Sequence, residues 1–219
     1  MADKHEKYEY SAKKAYDHAE APADYEKRSY YQGLLGAYRK RREGRAVRAA
    51  VSQFEPRGTA LDCPCGNGRW FSALSEKCSI IVARDSALAM VAAARQRSLP
   101  GVRLHVGVGD AENLDLDDNE VDNVFSYALM KHLPLPVQFR VLREFARVSR
   151  SIVAVSYAIL GVSSFPLWRF RNDSESYPVW RHELEWMARE AGLRVNRLQK
   201  IGTPIGLETM VIFGRNTSS

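Results

Sequence analysis

The fold of this 219-residue chain is decided by the stretch Leu61-Asp62-Cys63-Pro64-Cys65-Gly66-Asn67-Gly68-Arg69. The stretch overlaps the end of a short apolar run, residues 59–63, which is typical of a buried strand, and a helix is predicted to begin at about Arg69. Its glycines allow the backbone to approach a ligand closely, and the start of the helix offers free N–H groups. The pattern predicts a ligand-binding turn; a tight turn without a ligand is the alternative.

A Gly-x-Gly turn also occurs in dinucleotide-binding enzymes. The third glycine of the dinucleotide fingerprint would fall at position 71, where this chain has Phe71. Asp62 precedes the turn, and its carboxylate would repel a pyrophosphate but attract a sulfonium or an ammonium group. Both residues favour a positively charged ligand over NAD.

Two further acidic residues follow the next two predicted strands. Asp85 lies 19 residues after Gly66, a spacing typical of a carboxylate that binds ribose hydroxyls, although an aspartate there also caps helices. Asp110 can accept a hydrogen bond from an adenine amino group, or it belongs to a loop that is merely rich in acids. Because ligands bind at the carboxyl ends of parallel strands, the three aspartates together indicate a nucleoside site.

After residue 58 the chain alternates between predicted strands and helices. The strands are residues 59–63, 78–83, 102–108, 121–127, 152–157, 195–201 and 208–213; the helices begin at about 69 and span 87–97, 136–148 and 182–191. This alternation predicts a parallel sheet with helices on both faces and right-handed crossovers. Only residues 202–207 separate the last two strands, too few for a parallel return, so an antiparallel edge is expected.

The N-terminal part reads differently. Residues 1–22 are polar and are expected to be loose or to form a short helix. Residues 23–55 repeat apolar positions at helical steps, and Gly44 is expected to divide them into two helices. The run from Arg39 to Arg48 has six positive charges and one negative charge. With a net charge of +6 and a pI near 9.3, nucleic acid, anionic membrane and phosphorylated substrates stay open as partners, as does a solvated helix face.

The composition of the sequence indicates where the protein is located and whether it binds a metal. No apolar stretch approaches the roughly 20 residues of a membrane span, and no apolar run follows the N-terminus as in a secretory signal. The odd number of cysteines, three, favours free thiols in a reducing compartment, so a cytoplasmic protein is expected. Cys63 and Cys65 have no matching cysteine pair or histidine cluster, so no metal site is predicted.

Over about residues 56–214 the chain resembles class I S-adenosylmethionine-dependent methyltransferases of the small type 11, or ubiquinone-methyltransferase-like, kind. The resemblance rests on the motifs Asp62-x-Pro64-Cys65-Gly66-x-Gly68, Asp85-Ser86, Gly109-Asp110-Ala111-Glu112 and Asp122-Asn123-Val124-Phe125-Ser126. It implies an α/β domain with a Rossmann-like, seven-stranded, mostly parallel sheet and one antiparallel edge strand. Residues 23–55 would form a helical lid, and residues 215–219 a polar tail. The implied cofactor is S-adenosylmethionine.

The same resemblance divides the cofactor among particular residues. Asp62, Gly66 and Gly68 would hold the methionine part, with Pro64, Cys65 and Arg69 beside them, and Ser126 and Tyr127 would line the same side. Asp85 and Ser86 would bind the ribose. Asp110, Ala111 and Glu112 would bind the adenine. Arg84 departs from the family pattern, which has a small or apolar residue there. It is expected to pair with Asp85 and to weaken the ribose contact.

The acceptor side has fewer signals. By the resemblance, residues 127–134 face the transferred methyl group, with Met130 as a substrate contact and His132 as a candidate general base; a packed histidine is the alternative. The long connection 161–180 offers Trp168, Arg169 and Tyr177 as a substrate wall, which Tyr31 and Arg42 of the lid would complete, or it packs its own aromatic residues. Four arginines, Arg140, Arg143, Arg147 and Arg150, are expected to form a solvated helix face.

The sequence thus predicts methyl transfer to an oxygen or nitrogen of a small or medium-sized acceptor. Phosphorylated glycans, lipid-linked molecules and natural products would suit its arginines. Methylation of RNA or protein is the alternative, although no Asn-Pro-Pro-Tyr-type motif follows the fourth strand and no RNA-binding module is appended. A non-catalytic, cofactor-binding regulator is a third hypothesis.

Overall fold

The computed structural model describes residues 33–162, 165, 176–201 and 207–216. Its helices are α1 (Gly33–Val51), α2 (Phe71–Leu74), α3 (Leu88–Arg95), α4 (Leu135–Val148) and α5 (Arg181–Glu190), with a 3-10 turn at Met130–His132. Its strands are β1 (Thr59–Asp62), β2 (Ile80–Asp85), β3 (Arg103–Val108), β4 (Val121–Ser126), β5 (Ser149–Leu160), β6 (Val179–Trp180), β7 (Leu193–Lys200) and β8 (Glu208–Arg215). No helix in these ranges is long and apolar enough to cross a membrane.

The strands form one mostly parallel sheet in the order β3-β2-β1-β4-β5-β8-β7. From β3 to β5 all neighbours are parallel, and β8 runs antiparallel to both β5 and β7. The expected antiparallel pair is therefore confirmed, with the reversed strand β8 on the inner side of β7. Strand β6, which the sequence had placed in the long connection, adds an eighth strand by pairing with the end of β5.

Helices cover both faces of the sheet, as the alternation predicted. On one face, Val82 and Val124 of the sheet belong to the same buried cluster as Phe145 of α4. On the other face, Ile81 and Phe125 join the cluster that includes Val47 of α1. Because β2 and β4 alternate their side chains between the two clusters, both faces of the central strands are apolar.

Helix α1 departs from the sequence prediction. It runs through Gly44 without a break, so the expected division into two helices is wrong. A single glycine inside a helix costs only about 1 kcal/mol, which the packing of Val47 and its neighbours on the core offsets. The apolar positions of the first half are not packed: Leu34 is 93%, Leu35 57% and Tyr38 46% exposed.

The expected solvated arginine face is also corrected. Arg150 lies in β5, so the four arginines do not share one helix. Arg140 contacts Glu112 at 2.7 Å, and Arg147 contacts Asp118 at 2.8 Å. These side chains are partly exposed but paired, because the loop before β4 brings acidic groups to α4.

Candidate functional site

The glycine turn lies at the carboxyl end of β1. Gly66 and Gly68 both have left-handed backbone angles, with φ of +53° and +78°. A Cβ on Gly68 would lie 2.6 Å from the ring of Phe71, so only glycine fits there. A Cβ on Gly66 would meet nothing within 4 Å, which means that open space lies above the turn.

Asp62 ends β1 directly below this turn. It is 0% exposed, and neither carboxylate oxygen has a hydrogen-bond partner in the described chain. Burial raises the pKa of Asp62 well above its usual range, and the nearby Asp85 carboxylate raises it further. On the adjacent strand, the buried Ser126 hydroxyl likewise has no partner among the described residues. Buried polar groups without partners are rare in folded proteins, and here they fit the ammonium and sulfonium of a bound ligand.

The Asp85 carboxylate is held in a fixed orientation at the end of β2. Its Oδ2 accepts a hydrogen bond of 2.8 Å from the Gly66 N–H, and its Oδ1 accepts one of 2.9 Å from the Ala87 N–H. The Ser86 N–H also bonds to this carboxylate, and because a carboxylate has about four lone-pair sites it can still accept from a ligand. The pKa of Asp85 is raised by burial, while these N–H groups act in the opposite direction. Ser86, beside it, is exposed.

Arg84 does not pair with Asp85, so that expectation is wrong. Its Nε and Nη2 contact the two carboxylate oxygens of Asp115 at 2.7 and 3.0 Å. Successive side chains of a strand point to opposite faces, which separates Arg84 from Asp85 although the two residues are adjacent. The Asp85 carboxylate is therefore not neutralised by this arginine.

The loop after β3 contains the residues expected to hold an adenine. Asp110 Oδ1 accepts a hydrogen bond of 3.0 Å from the Glu112 N–H. Ala111 packs against the buried cluster, and the Glu112 carboxylate contacts Arg140. The loop is joined to the ribose side because Gly109 N–H donates to the Asp85 carbonyl at 3.1 Å.

Trp70 and Tyr127 form an aromatic wall beside the end of β4. Tyr127 is buried and packs edge to face on Trp70, with ring centroids 5.1 Å apart. Arg69 stacks over Trp70 at 4.4 Å and contacts Glu43 of α1 at 2.5 Å. Sequence reasoning missed Glu43; the signal was that it is the one acidic residue of the basic run 39–48.

The 3-10 turn after β4 carries the acceptor-side residues. His132 is half-buried there, but Met130 is 0% exposed and lies in the core, so the expectation that Met130 contacts substrate is corrected. Lys131, which the sequence did not single out, contacts Glu208 of β8 at 2.5 Å. The Tyr177 N–H donates to the Lys131 carbonyl at 2.7 Å, which attaches the end of the long connection to this turn.

Gln138 strengthens that attachment. It is buried in α4, and its Nε2 donates to the carbonyls of Leu133 at 2.8 Å and Tyr177 at 2.9 Å. A glutamine inside a helix gives no sequence signal of this role. Of the other expected substrate residues, Arg42 contacts the Tyr38 hydroxyl at 3.5 Å. Tyr31, Trp168 and Arg169 lie outside the described residues.

The cysteines beside the turn are free and buried. Burial raises the pKa of the Cys63 and Cys65 thiols, and the nearby carboxylates of Asp62 and Asp85 raise it further. In the described ranges, no three histidine, cysteine or acidic side chains are grouped as metal ligands would be. The carboxylates near these thiols thus disfavour their ionisation.

A family model described as a methyltransferase domain matches residues 60–151. Among solved structures, magnesium protoporphyrin IX methyltransferase from Synechocystis PCC 6803 with bound S-adenosylhomocysteine is similar at a TM-score of 0.71 and 14% identity, over 84% of this chain and 89% of that one. An S-adenosylmethionine-dependent methyltransferase from Methanosarcina mazei gives a TM-score of 0.64 and 16% identity, over 76% and 96% of the two chains.

A third similar structure is a complex from Haloferax volcanii between the Trm112 methyltransferase activator and a methyltransferase, with a TM-score of 0.62 and 19% identity over 84% of this chain and 96% of that one. No curated protein matches this sequence. The family model extends from β1 through β4 to the start of β5, the part of the chain that carries the glycine turn and the three aspartates. Residues 60–151 thus form a methyltransferase domain, and the chain has the fold of class I S-adenosylmethionine-dependent methyltransferases.

Proposed function

We propose that the carboxyl edge of the sheet holds the methionine part of S-adenosylmethionine between β1 and β4, its ribose at the end of β2 and its adenine at the loop after β3. The observation that carries this assignment is Asp62, a buried carboxylate whose oxygens have no partner in the described part of the chain. Burying such a carboxylate alone is costly, and a cationic ligand offsets that cost. When bound, S-adenosylmethionine supplies an electrophilic methyl group on a sulfonium.

The other residues of the edge bind and orient. The remaining lone pairs of Asp85 accept hydrogen bonds from ribose hydroxyls, while its bond to the Gly66 N–H keeps the turn open. Asp110 and the Ala111 N–H are assigned to the adenine, and Ser126 to the methionine side together with Tyr127. Pro64, Cys65 and Glu112 are assigned to shape the site and not to bind the cofactor directly, since Cys65 is buried and Glu112 is paired with Arg140.

The proposed acceptor is a small or medium-sized molecule with an oxygen or nitrogen nucleophile. His132 lies half-buried in the turn after β4, at the same edge of the sheet, and is assigned as the group that accepts the proton. The Synechocystis neighbour is named as acting on a porphyrin. Phosphorylated glycans, lipid-linked molecules and natural products are the classes of acceptor that the basic α1, residues 33–51, favours.

The first test is calorimetric titration with S-adenosylhomocysteine. Wild-type protein should bind it and should not bind NAD, and Asp62→Asn should lose most of the affinity. Asp122→Asn is the matched control, because Asp122 bonds to the Thr59 N–H at the opposite end of β1 and β4. Equal affinities of the two variants would contradict the assignment of Asp62.

The second test identifies the acceptor. Protein supplied with S-adenosylmethionine carrying a labelled methyl group is incubated separately with small metabolites, lipid extract, RNA and protein fractions. Label in a small molecule or lipid supports the proposal, and label in RNA or protein would replace it. Cofactor binding with no label in any fraction would favour a regulator.

A further inference from the structure

Helix α1 is joined to the glycine turn by an ion pair whose carboxylate is buried. Glu43 is 2% exposed although it lies in the basic run 39–48, and its Oε2 is 2.5 Å from Nη2 of Arg69, whose side chain is 23% exposed. Arg69 directly follows the turn Gly66–Gly68. Because the two charged residues are 26 positions apart, their contact fixes one long-range relation between α1 and the turn.

Arg69 also contacts the aromatic wall. Its guanidinium lies 4.4 Å from the Trp70 ring, whose edge packs on Tyr127 at 5.1 Å and on Phe125 at 6.4 Å. Tyr127 follows Ser126 at the end of β4. A continuous series of contacts therefore runs from Glu43 to the methionine side of the site.

A buried ion pair adds little net stability, since the desolvation of both groups opposes their attraction. A charged hydrogen bond is directional, so it restricts the geometry of its two groups more than an apolar contact does. The same helix offers a comparison: Arg48 contacts Glu76 at 2.9 Å, but these side chains are 60% and 49% exposed. The exposed pair joins α1 to the segment that follows α2.

We propose that Glu43 is a positioning residue for the cofactor site. Through Arg69 it fixes Trp70 and Tyr127 as the wall on the methionine side, and it couples the docking of α1 to occupancy of the site. The proposal rests on the proposed function, because it requires that the cofactor lies above the glycine turn.

The test uses the full chain and S-adenosylhomocysteine, which lacks the sulfonium charge, so a loss of affinity does not report simple attraction to Glu43. Glu43→Gln should weaken binding about tenfold, the effect expected when a charged hydrogen bond that orders a site is lost. Glu43→Asp keeps the charge and should recover part of the affinity, leaving it about threefold weaker. Glu76→Gln, the matched control, removes the exposed partner of Arg48 on the same helix as Glu43 and should stay within about twofold of wild type.

Hydrogen exchange supplies a second readout that overall stability does not mimic. Bound S-adenosylhomocysteine should slow exchange of residues 40–51 in wild type and in Glu76→Gln, and less in the Glu43 variants. If Glu43→Gln does not fold, Glu43→Asp decides alone: an affinity equal to that of Glu76→Gln would overturn the proposal. If wild type binds the ligand and Asp62→Asn does not, but the Glu43 variants bind normally, the proposed function stands and this inference fails. If wild type itself does not bind, the proposed function fails.

Discussion

The Asp85 carboxylate and the Gly66 N–H are joined by a hydrogen bond of 2.8 Å, so the residue assigned to the ribose also fixes the glycine turn. Asp85 therefore links two parts of the proposed cofactor site that follow different strands. Arg84, its neighbour in the chain, takes no part in this link because it is paired with Asp115. A change at position 85 is expected to disturb the turn and the ribose contact together.

Asp85→Ala should weaken binding of S-adenosylhomocysteine by about 1–3 kcal/mol, the usual cost of lost hydrogen bonds to a charged group. Asp115→Asn removes the partner of Arg84 and should leave the affinity unchanged. Calorimetry on both variants measures the difference. A similar loss in Asp115→Asn would mean that Arg84 moves to Asp85 and neutralises it.

Much of the fold was predictable because its signals are local. The strand–helix alternation follows from apolar runs separated by glycine turns, and the antiparallel pair follows from the six residues between the last two predicted strands. Asp62 was predictable for the same reason: it lies at the end of an apolar strand and next to a glycine turn, so its burial follows from position alone.

The features that the sequence did not predict depend on contacts between distant segments of the chain. Helical periodicity placed Leu34 on the apolar face of the helix, but it did not show that this half of the helix lies outside the core. The partners of Glu43 and Arg84 lie 26 and 31 positions away, and no spacing rule connects them. Met130 is the opposite case, since its place in the motif predicted substrate contact while the packing of the 3-10 turn buried it.

Truncation separates the two halves of α1. Deleting residues 1–40 should leave the domain folded, because the packed residues Val47, Ala50 and Val51 remain while Leu34 and Leu35, removed by the deletion, are exposed. Deleting residues 1–54 should unfold it, since a single buried aliphatic side chain contributes about 2–3 kcal/mol. Thermal unfolding followed by circular dichroism distinguishes these outcomes. Methyl transfer is expected to be lost in the shorter deletion if residues 23–55 act as a lid, and normal turnover there would contradict a lid.

Gln138→Met keeps the shape of a buried side chain but removes both of its donated hydrogen bonds. The carbonyls of Leu133 and Tyr177 then lose a partner, and the free energy of unfolding should fall by about 1–3 kcal/mol. Denaturant unfolding measures the loss, and hydrogen exchange should rise at residues 130–133 and 177. Gln199→Met, a substitution in β7, is the control and should not change exchange at those positions. Unaltered exchange in Gln138→Met would show that the turn does not depend on this amide.

His132→Ala tests the assignment of a general base. The substitution should leave the affinity for S-adenosylhomocysteine unchanged, because His132 lies in the turn after β4 and not at the glycine turn. With the acceptor found by the labelling screen, methyl transfer should slow by about 10²–10⁴-fold at neutral pH. Single-turnover rates across pH would check this, and an unchanged rate would indicate that holding the acceptor in place suffices.

The raised pKa of Asp62 predicts how the stability of the ligand-free protein depends on pH. Burial and the Asp85 carboxylate hold the folded-state pKa of Asp62 well above its ordinary value of 3.8, so between the two values the folded protein keeps a proton that the unfolded chain releases. The stabilisation that comes from this proton is fully present below the pKa of Asp62 in the unfolded chain. It falls as the pH rises toward the pKa of Asp62 in the folded protein, by at most about 1.4 kcal/mol per pH unit. Asp62→Asn lacks this titration, so its advantage in melting temperature over wild type should grow from pH 5 to pH 8. A constant difference in melting temperature between the two proteins across that range would show that Asp62 is ionised in the folded protein and has a partner there.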